Sequence, residues 1–424
     1  VVEQAGTDVE IKLKVGDDGL DLSRVVTVFK WKSFINDGYS IYARIIDPNL
    51  GLFQDLVNEK YLKEARKMPL KIQFSMKYLT GGDSNNDETE TRTAYITNLV
   101  AKTNPGSHTS GSFEFIAIDP PTWFLNRGNA DGSVFKGNVT SVIKQIISRY
   151  APDIEVDLSE TIDNKTNTWH MLRQDPKTFL MTLLDWSSSV TNQKTNWVVS
   201  SVDEKIIIKE QAEMQSYDLG EYNANTNYSG AKNLINWERE DNNYLTNLQT
   251  VISTTGLSAV SGLYCDNTNS ITKDLTIVKD ENTSAKKNVD ITQDQGFTKP
   301  KDFDNGWTHV RSIPEDSAGA VGLQYQNYID GRARNLFIGI LDVLNRLKIR
   351  VYGTPKLDDS SKLGVSTVNL QWTDAADDPW QHDGKWLVYG FEHVYTPNKE
   401  WYTNIYLNRK DYDSDSQKIP PSNI

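Results

Sequence analysis

Apolar and polar residues alternate with a period of two through most of the first 120 positions. EIKLKV, RVVTVFKW, YSIYARII, LKIQFSMKYL, AYITNLVAK and SFEFIAID each carry this strand pattern, with turn-forming residues between them. The pattern predicts a compact β domain of about six strands. LFQDLVNEKYLKEAR departs from it. Leu52, Leu56 and Leu62 with Tyr61 keep approximate helical spacing, which predicts one helix plugging an end of a barrel.

The period changes after residue 126. In FKGNVTSVIKQIISRYAP, Asn138 stands where an N-cap belongs, and Val139, Val142, Ile143, Ile146 and Ile147 form a helical stripe ending before Pro152. QDPKTFLMTLLDWSSSV predicts a second helix with Pro176 near its first turn, and WVVSSVDEKIIIKE a hairpin. From Thr255 to about Gly322 the chain is rich in Asn, Thr, Asp and Lys with few periodic segments, the pattern of a long insertion. LQYQNYIDGRARNLFIGILDVLNR then predicts a long helix, and DYDSDSQKIPPSNI has the composition of an extended tail.

The strand patterns recur in order. YITNLVAKTNPG with SFEFIAID matches VYGFEHVYTPNK with TNIYLNRK, setting Leu99 against Phe391 and Phe115 against Ile405. TVFKWKSFINDGYSIYARII matches NLINWEREDNNYLTNLQTVI, setting Trp31 against Trp237 and Tyr39 against Tyr244, and PLKIQFS matches RLKIRVYG. Three matched segments in one order indicate duplication. The expected fold is mixed α+β and β-rich: two similar small β-barrels, with an α/β module and a long insertion between and within them. Residues 1–125 form the first barrel, 126–230 the α/β module, 231–254 and 346–412 the discontinuous second barrel, 255–345 the insertion with its long helix, and 413–424 the tail.

Composition narrows what such a chain does. With 424 residues, 38% hydrophobic and 24% charged, it is long enough for several cores and has an ordinary globular composition. A net charge of -12 argues against stable nucleic-acid binding, which needs a basic stripe. No run approaches the ~18 apolar residues of a membrane helix, so no membrane insertion is expected. One cysteine, Cys265, excludes a disulfide framework and a four-thiolate zinc site.

Candidate chemistry is sparse. GGDSNNDETE alternates Asp83, Asn85 and Asp87 as a calcium loop does, but its sixth position is Glu88 rather than Gly, and it reads as a hairpin tip. Asp374, Asp377, Asp378, His382 and Asp383 have the donors for a hard cation, yet lie among turn formers as a solvated loop would. The histidines at 108, 170, 309, 382 and 393 lack ligand spacing, and no nucleophile elbow, HExxH helix or phosphate loop occurs. No catalytic, cofactor-binding or metal residue is therefore assigned, and no enzymatic activity is expected. His393 shares an alternating face with Leu387, Tyr389, Phe391 and Tyr395, and its counterpart is Ala101, so a hydrogen-bonded structural role is expected.

The closing hairpin LVYGFEHVYTPNKEWYTNIYL and the helix opener FKGNVTSVIKQIISRYAP resemble the central baseplate hub proteins of contractile tails, the family of phage late-control D proteins and the hub part of VgrG spikes. That resemblance implies a homotrimer whose two barrels per subunit give a pseudo-sixfold ring. It further implies a place in the virion tail baseplate after assembly in the host cytoplasm. The implied partners are the tail tube or a tube-initiator protein, the central spike and baseplate wedge proteins, around a channel for DNA. The polar insertion and TDAADDPWQHDGKW depart from the family pattern. A second reading is a virion or secreted carbohydrate-binding protein that stacks sugars on Trp123, Trp169, Trp307, Trp380 and Trp401.

Overall fold

The computed structural model describes residues 9–408 apart from 17–18, 59–68, 80–87, 103–110, 128–131, 160–165, 172–173, 191–196, 211–213, 224–231, 241–249, 255–258, 267–269, 280–307, 314–345, 372–383 and 397–399. The first strand shows how sequence becomes structure. In β1 (Val9–Val15), Val9, Ile11, Leu13 and Val15 are buried while Glu10, Lys12 and Lys14 face water. After the short β2 (Leu20–Asp21) come β3 (Val26–Phe34), β4 (Gly38–Ile46), helix α1 (Gly51–Val57), β5 (Lys71–Tyr78), β6 (Arg92–Lys102) and β7 (Ser112–Ile118). The helix expected over Leu52 to Arg66 ends at Val57, and 59–68 lie outside the described residues. Leu56 of α1 is buried in the core.

The middle module contains α2 (Pro120–Asn126), β8 (Val134–Gly137), α3 (Val139–Tyr150), β9 (Glu155–Leu158), β10 (Asn167–His170), α4 (Pro176–Val190), β11 (Trp197–Val202) and β12 (Lys205–Glu210). Asn138 caps α3, its side chain accepting from the Ser141 amide at 2.8 Å, and the predicted apolar stripe is buried. Beyond it lie β13 (Tyr217–Asn223), β14 (Lys232–Glu240), β15 (Thr250–Thr254), β16 (Ala259–Asp266), β17 (Ser270–Lys279) and β18 (Thr308–Ile313). Last come β19 (Arg346–Tyr352), a 3-10 turn at Ser360–Lys362, β20 (Ser366–Gln371), β21 (Gly384–Tyr395) and β22 (Trp401–Asn408). The tail, the acidic loop and the predicted long helix fall outside the described residues.

Strand order carries the architecture. The first set runs β1-β5-β6-β7-β4-β3, and the second runs β13-β20-β21-β22-β19-β14, with β13 also paired to β14 so that its pairings form a cycle. Five strands correspond in chain order: β3, β4, β5, β6 and β7 with β14, β19, β20, β21 and β22. All of their mutual pairings are antiparallel. The sixth position differs, because β1 is antiparallel to β5 whereas β13 is parallel to β20. Two boundaries shift as a result. β13, expected in the α/β module, belongs to the second set through its pairing, and β15 leaves that set for a separate sheet of β15 to β18.

Register sharpens the correspondence. Leu99 lies opposite Phe115, and Phe391 lies opposite Ile405. A β-bulge interrupts β6 between Ile96 and Asn98, and another interrupts β21 between Val388 and Gly390, at the same distance from those pairs. Bulges also match between Val26 and Val28 of β3 and between Leu234 and Asn236 of β14. Next to these, Arg44 Nε donates to Glu114 at 2.9 Å, and Arg350 Nε donates to Asn404 at 3.0 Å from the corresponding positions. Three sequence expectations are corrected. RLKIRVY of β19 corresponds to β4, not to PLKIQFS of β5, since β19 pairs with the second strand of its closing hairpin and β5 with the first. Trp237 lies level with Phe29, two residues from Trp31, because the bulges set the count. In β21 the bulge changes the inward parity, so Trp386 and Val388 face the core before it and Phe391, His393 and Tyr395 after it, without Leu387 or Tyr389.

The two sets join edge to edge. Gly390–Tyr395 of β21 pairs antiparallel with Phe34–Phe29 of β3, and one hydrophobic cluster runs through both sets. Gly390 permits this approach, since a Cβ there would overlap the Phe34 ring. Gly390→Ala is expected to cost about 1–3 kcal/mol through overpacking. Gly51→Ala, at the start of α1 where a Cβ meets nothing within 4 Å, should not lower the urea midpoint and should raise it slightly.

Candidate functional site: the seam and the three-way junction

The most specific polar arrangements lie where parts of the chain meet. His393 sits on the seam, opposite Trp31 on β3 and Thr403 on β22, and is fully buried. Its Nε2 lies 2.6 Å from the Leu357 carbonyl, which requires Nε2 to carry the proton and donate. Nδ1 is then the acceptor for the Thr403 hydroxyl at 2.8 Å and for the Trp401 indole N–H at 3.2 Å. Trp31, Phe391 and Trp401 surround the ring at centroid distances of 4.9 to 5.4 Å. Burial pushes the imidazole pKa down to about 4, against a smaller upward pull from Leu357 and Asp358. The neutral ring pins the loop bearing Leu357 to the closing hairpin.

The second arrangement centres on Arg92 of β6, which is almost fully buried. Its guanidinium meets Asp203 in the β11–β12 turn at 3.3 Å and Asp359 in the loop before β20 at 3.1 Å; Nε donates to the Asp358 carbonyl at 2.9 Å. Asp358 and Glu90 carboxylates add ion pairs at 3.5 and 3.0 Å. Burial alone would lower the arginine pKa, but the charges of Asp358, Asp359, Asp203 and Glu90 raise it instead. Asp203, with positive φ, also accepts from the Thr93 amide at 2.7 Å. One arginine thus ties the first strand set, the middle module and the second set together. Ser360 adds to this by accepting from the Ser201 amide at 2.6 Å.

Beside this junction, Asp119 caps α2 and is fully buried. It accepts from the Thr122 amide at 2.9 Å and the Tyr39 amide at 3.0 Å, and burial nevertheless pushes its pKa up. The Tyr39 hydroxyl donates to the Thr93 carbonyl. Apart from Asp119, which caps its own helix through Thr122, these residues carry no local sequence signal, since their main partners lie far along the chain.

Of the repeat positions, Trp31, Tyr39, Phe115, Phe391, His393 and Ile405 are buried, Leu99 packs against the core, Trp237 is 38% exposed, and Tyr244 lies outside the described residues. The structure gathers Trp31, Tyr39, Phe391 and His393 with Phe74. Among the proposed sugar platforms, Trp169 is buried and donates to the Gly137 carbonyl, and Trp401 is buried against Tyr78. Trp123 lies under the Arg127 guanidinium, 4.1 Å from the ring centroid, while Trp307 and Trp380 fall outside the described residues. Glu88 of the calcium-like segment is met by Lys12 at 2.7 Å and Lys77 at 3.8 Å. No group of three metal-ligating side chains occurs among the described residues. The cavity lined by Gly38, Thr122, Lys177 and Val199 is about 10 Å³, space for one water at most.

No family model matches the chain, and no curated protein matches its sequence. Solved structures do match its fold. A tail protein from Neisseria meningitidis MC58 aligns with a TM-score of 0.54 and 11% identity over 95% of this chain and 97% of that one. The fold is similar to that of this tail protein. The 43 kDa tail protein of prophage MuSo2 from Shewanella oneidensis gives the same TM-score and identity over 95% and 98% of the two chains. An Escherichia coli component of the type VI secretion system, itself structurally similar to T4 bacteriophage tail proteins, aligns at 0.50 and 9% identity over 95% and 77%. Each of these alignments covers 95% of this chain.

Two variants test the polar arrangements. Arg92→Met strands two buried carboxylates, Asp358 and Asp359, and should destabilise by about 3–5 kcal/mol in chemical denaturation, whereas Lys205→Met, at an exposed pair, should cost under about 1. For His393, the unfolded chain takes up a proton near pH 6.5 that the folded chain refuses until about 4. Stability from this group is complete above pH 6.5 and falls by up to about 3 kcal/mol as pH drops towards 4. The wild-type Tm should therefore fall more steeply than that of His393→Gln across this window.

Proposed function

We propose that this chain is a structural baseplate hub of a contractile-tail phage or a related injection machine. Three copies form a pseudo-sixfold ring that joins a sixfold tail tube to a threefold spike and surrounds the channel through which DNA passes. The observation that carries this reading is the repeat itself: two strand sets with five corresponding strands, matched bulges and matched register, joined within one chain. A trimer of such chains presents six nearly equivalent units, and closed rotational symmetry turns them into a ring. The tail-protein fold supports the same reading.

In this role the chain carries no catalytic chemistry. It offers fixed geometry to the tube or tube initiator on one side, to the spike on the other, and to wedge proteins around it, with the virion baseplate as its location. The net charge of -12 disfavours adhesion of passing DNA. Seam and junction keep the two units of each subunit at one angle, which ring closure demands.

Mass photometry of the purified chain, alone and with its spike, is the direct measurement. A species at three times the 48.0 kDa chain mass is expected. A strict monomer at micromolar concentration under both conditions would sink the hub reading.

A further inference from the structure

One sheet face of this acidic chain is lined by cations. Arg346, Lys348 and Arg350 alternate along β19, so all three leave the same face, while Leu347, Ile349 and Val351 between them are buried in the core. Each cation lies against an aromatic ring of a neighbouring strand. The Arg346 guanidinium is 4.9 Å from the Tyr389 ring centroid, the Lys348 ammonium 6.0 Å from Tyr406 and the Arg350 guanidinium 4.4 Å from Tyr402. Phe34 packs against both Tyr389 and Tyr406, at 6.2 and 5.0 Å, which steadies those rings and with them the charges.

The row has few anions of its own. Lys348 meets Glu238 at 3.1 Å, and Glu392 accepts from Asn404 Nδ2 at 2.8 Å. Arg350 Nε donates to the same asparagine, and among the described residues no carboxylate lies within ion-pair distance of Arg346 or Arg350. Arg346 Nε is buried without an acceptor, and Oδ1 of Asn408, directly opposite it on β22 and itself buried, has no donor. A buried donor and a buried acceptor open side by side call for polar partners. They stand at the point where β22 ends.

We propose that residues 411–415 of this chain fold back over that face and set Asp411, Asp413 and Asp415 on Arg346, Lys348 and Arg350. The segment fits in period. In DYDSD the carboxylates stand at every second position, as the cations do in RLKIR, and alternate side chains of an extended chain are about 6.8 Å apart. Direction fits as well: β22 ends at Asn408 level with Arg346, and β19 runs back from there until Tyr352 is level with Tyr402. A chain that reverses after Asn408 therefore meets Arg346 first, then Lys348, then Arg350. Arg409 and Lys410 make the reversal, with Asn408 Oδ1 accepting the amide of Lys410 in an Asx turn. In length, residues 409–415 span up to about 24 Å, against about 14 Å from Arg346 to Arg350. A guanidinium stacked on a ring keeps its N–H edge for a carboxylate. The face is thus a binding site for an extended, alternately acidic polypeptide, and the chain's own tail is its occupant, whether or not the chain assembles as a hub.

The test is carbodiimide treatment of the full chain at low ionic strength, which joins touching lysine and carboxylate side chains. Peptide mass spectrometry is then run on the single-chain band of a denaturing gel, at 48.0 kDa. The link from Lys348 to Glu238, already 3.1 Å apart, is the internal standard for a folded face. A second link, from Lys348 to Asp413, is expected beside it. Asp413→Asn should remove that second link, and Arg346→Gln with Arg350→Gln should cut its yield several-fold, with the Glu238 link kept in both variants. Lys348 joined to Glu238 alone would overturn the inference. A link from Lys348 to Asp413 found only in bands of two or three chains would also overturn it, by giving the tail to a neighbouring copy. The hub reading is scored separately by mass photometry of the untreated chain.

Discussion

Backbone pairing between β3 and β21 is the constraint on which the rest of the molecule depends. Six residue pairs, from Gly390 with Phe34 to Tyr395 with Phe29, turn two strand sets into one continuous sheet and one core. Each rung is worth only about 1 kcal/mol net, but an unpaired buried edge would cost more than each rung contributes. The side chains agree with the backbone. Trp31, Phe391 and His393 pack across the join, and the histidine satisfies both ring nitrogens there, so the polar group specifies the alignment that the apolar groups stabilise.

Edge pairing by itself permits hinging, and the Arg92 junction restricts it. Its ligands come from the middle module and from the loop before β20, so any rotation of one set against the other separates a buried guanidinium from buried carboxylates. Such separation is costly in a low-dielectric site, which makes the arrangement a stop rather than a spring. Rigidity of this kind suits a part whose task is to hold an angle.

Much of this was legible in the chain. The alternation in VEIKLKV, the Asn138 cap and the closing hairpins around Leu99 and Phe391 need only local pattern. What local pattern does not encode is partner choice. LKI in β5 and LKI in β19 look alike because every half-buried strand alternates, yet they border different neighbours. Trp31 and Trp237 share chemistry, but a bulge displaces the count by two, and bulges leave no mark in composition. Arg92 gathers its ligands from 111 and 267 positions away, beyond any spacing rule. His393 was readable as an inward strand residue, while Leu357, which fixes its tautomer, was not.

The segment between β14 and β19 replaces what in the first set is a tight turn over residues 35–37 between β3 and β4. Its two ends leave from adjacent hydrogen-bonded strands and so remain about 5 Å apart whatever lies between them. Closing a longer loop across that fixed gap adds only about 0.6 kcal/mol for each doubling of length. The hairpin position is therefore a socket. Content grafted there can grow, shrink or diverge without disturbing the register beneath it, and the scaffold and its decoration are free to change at different rates.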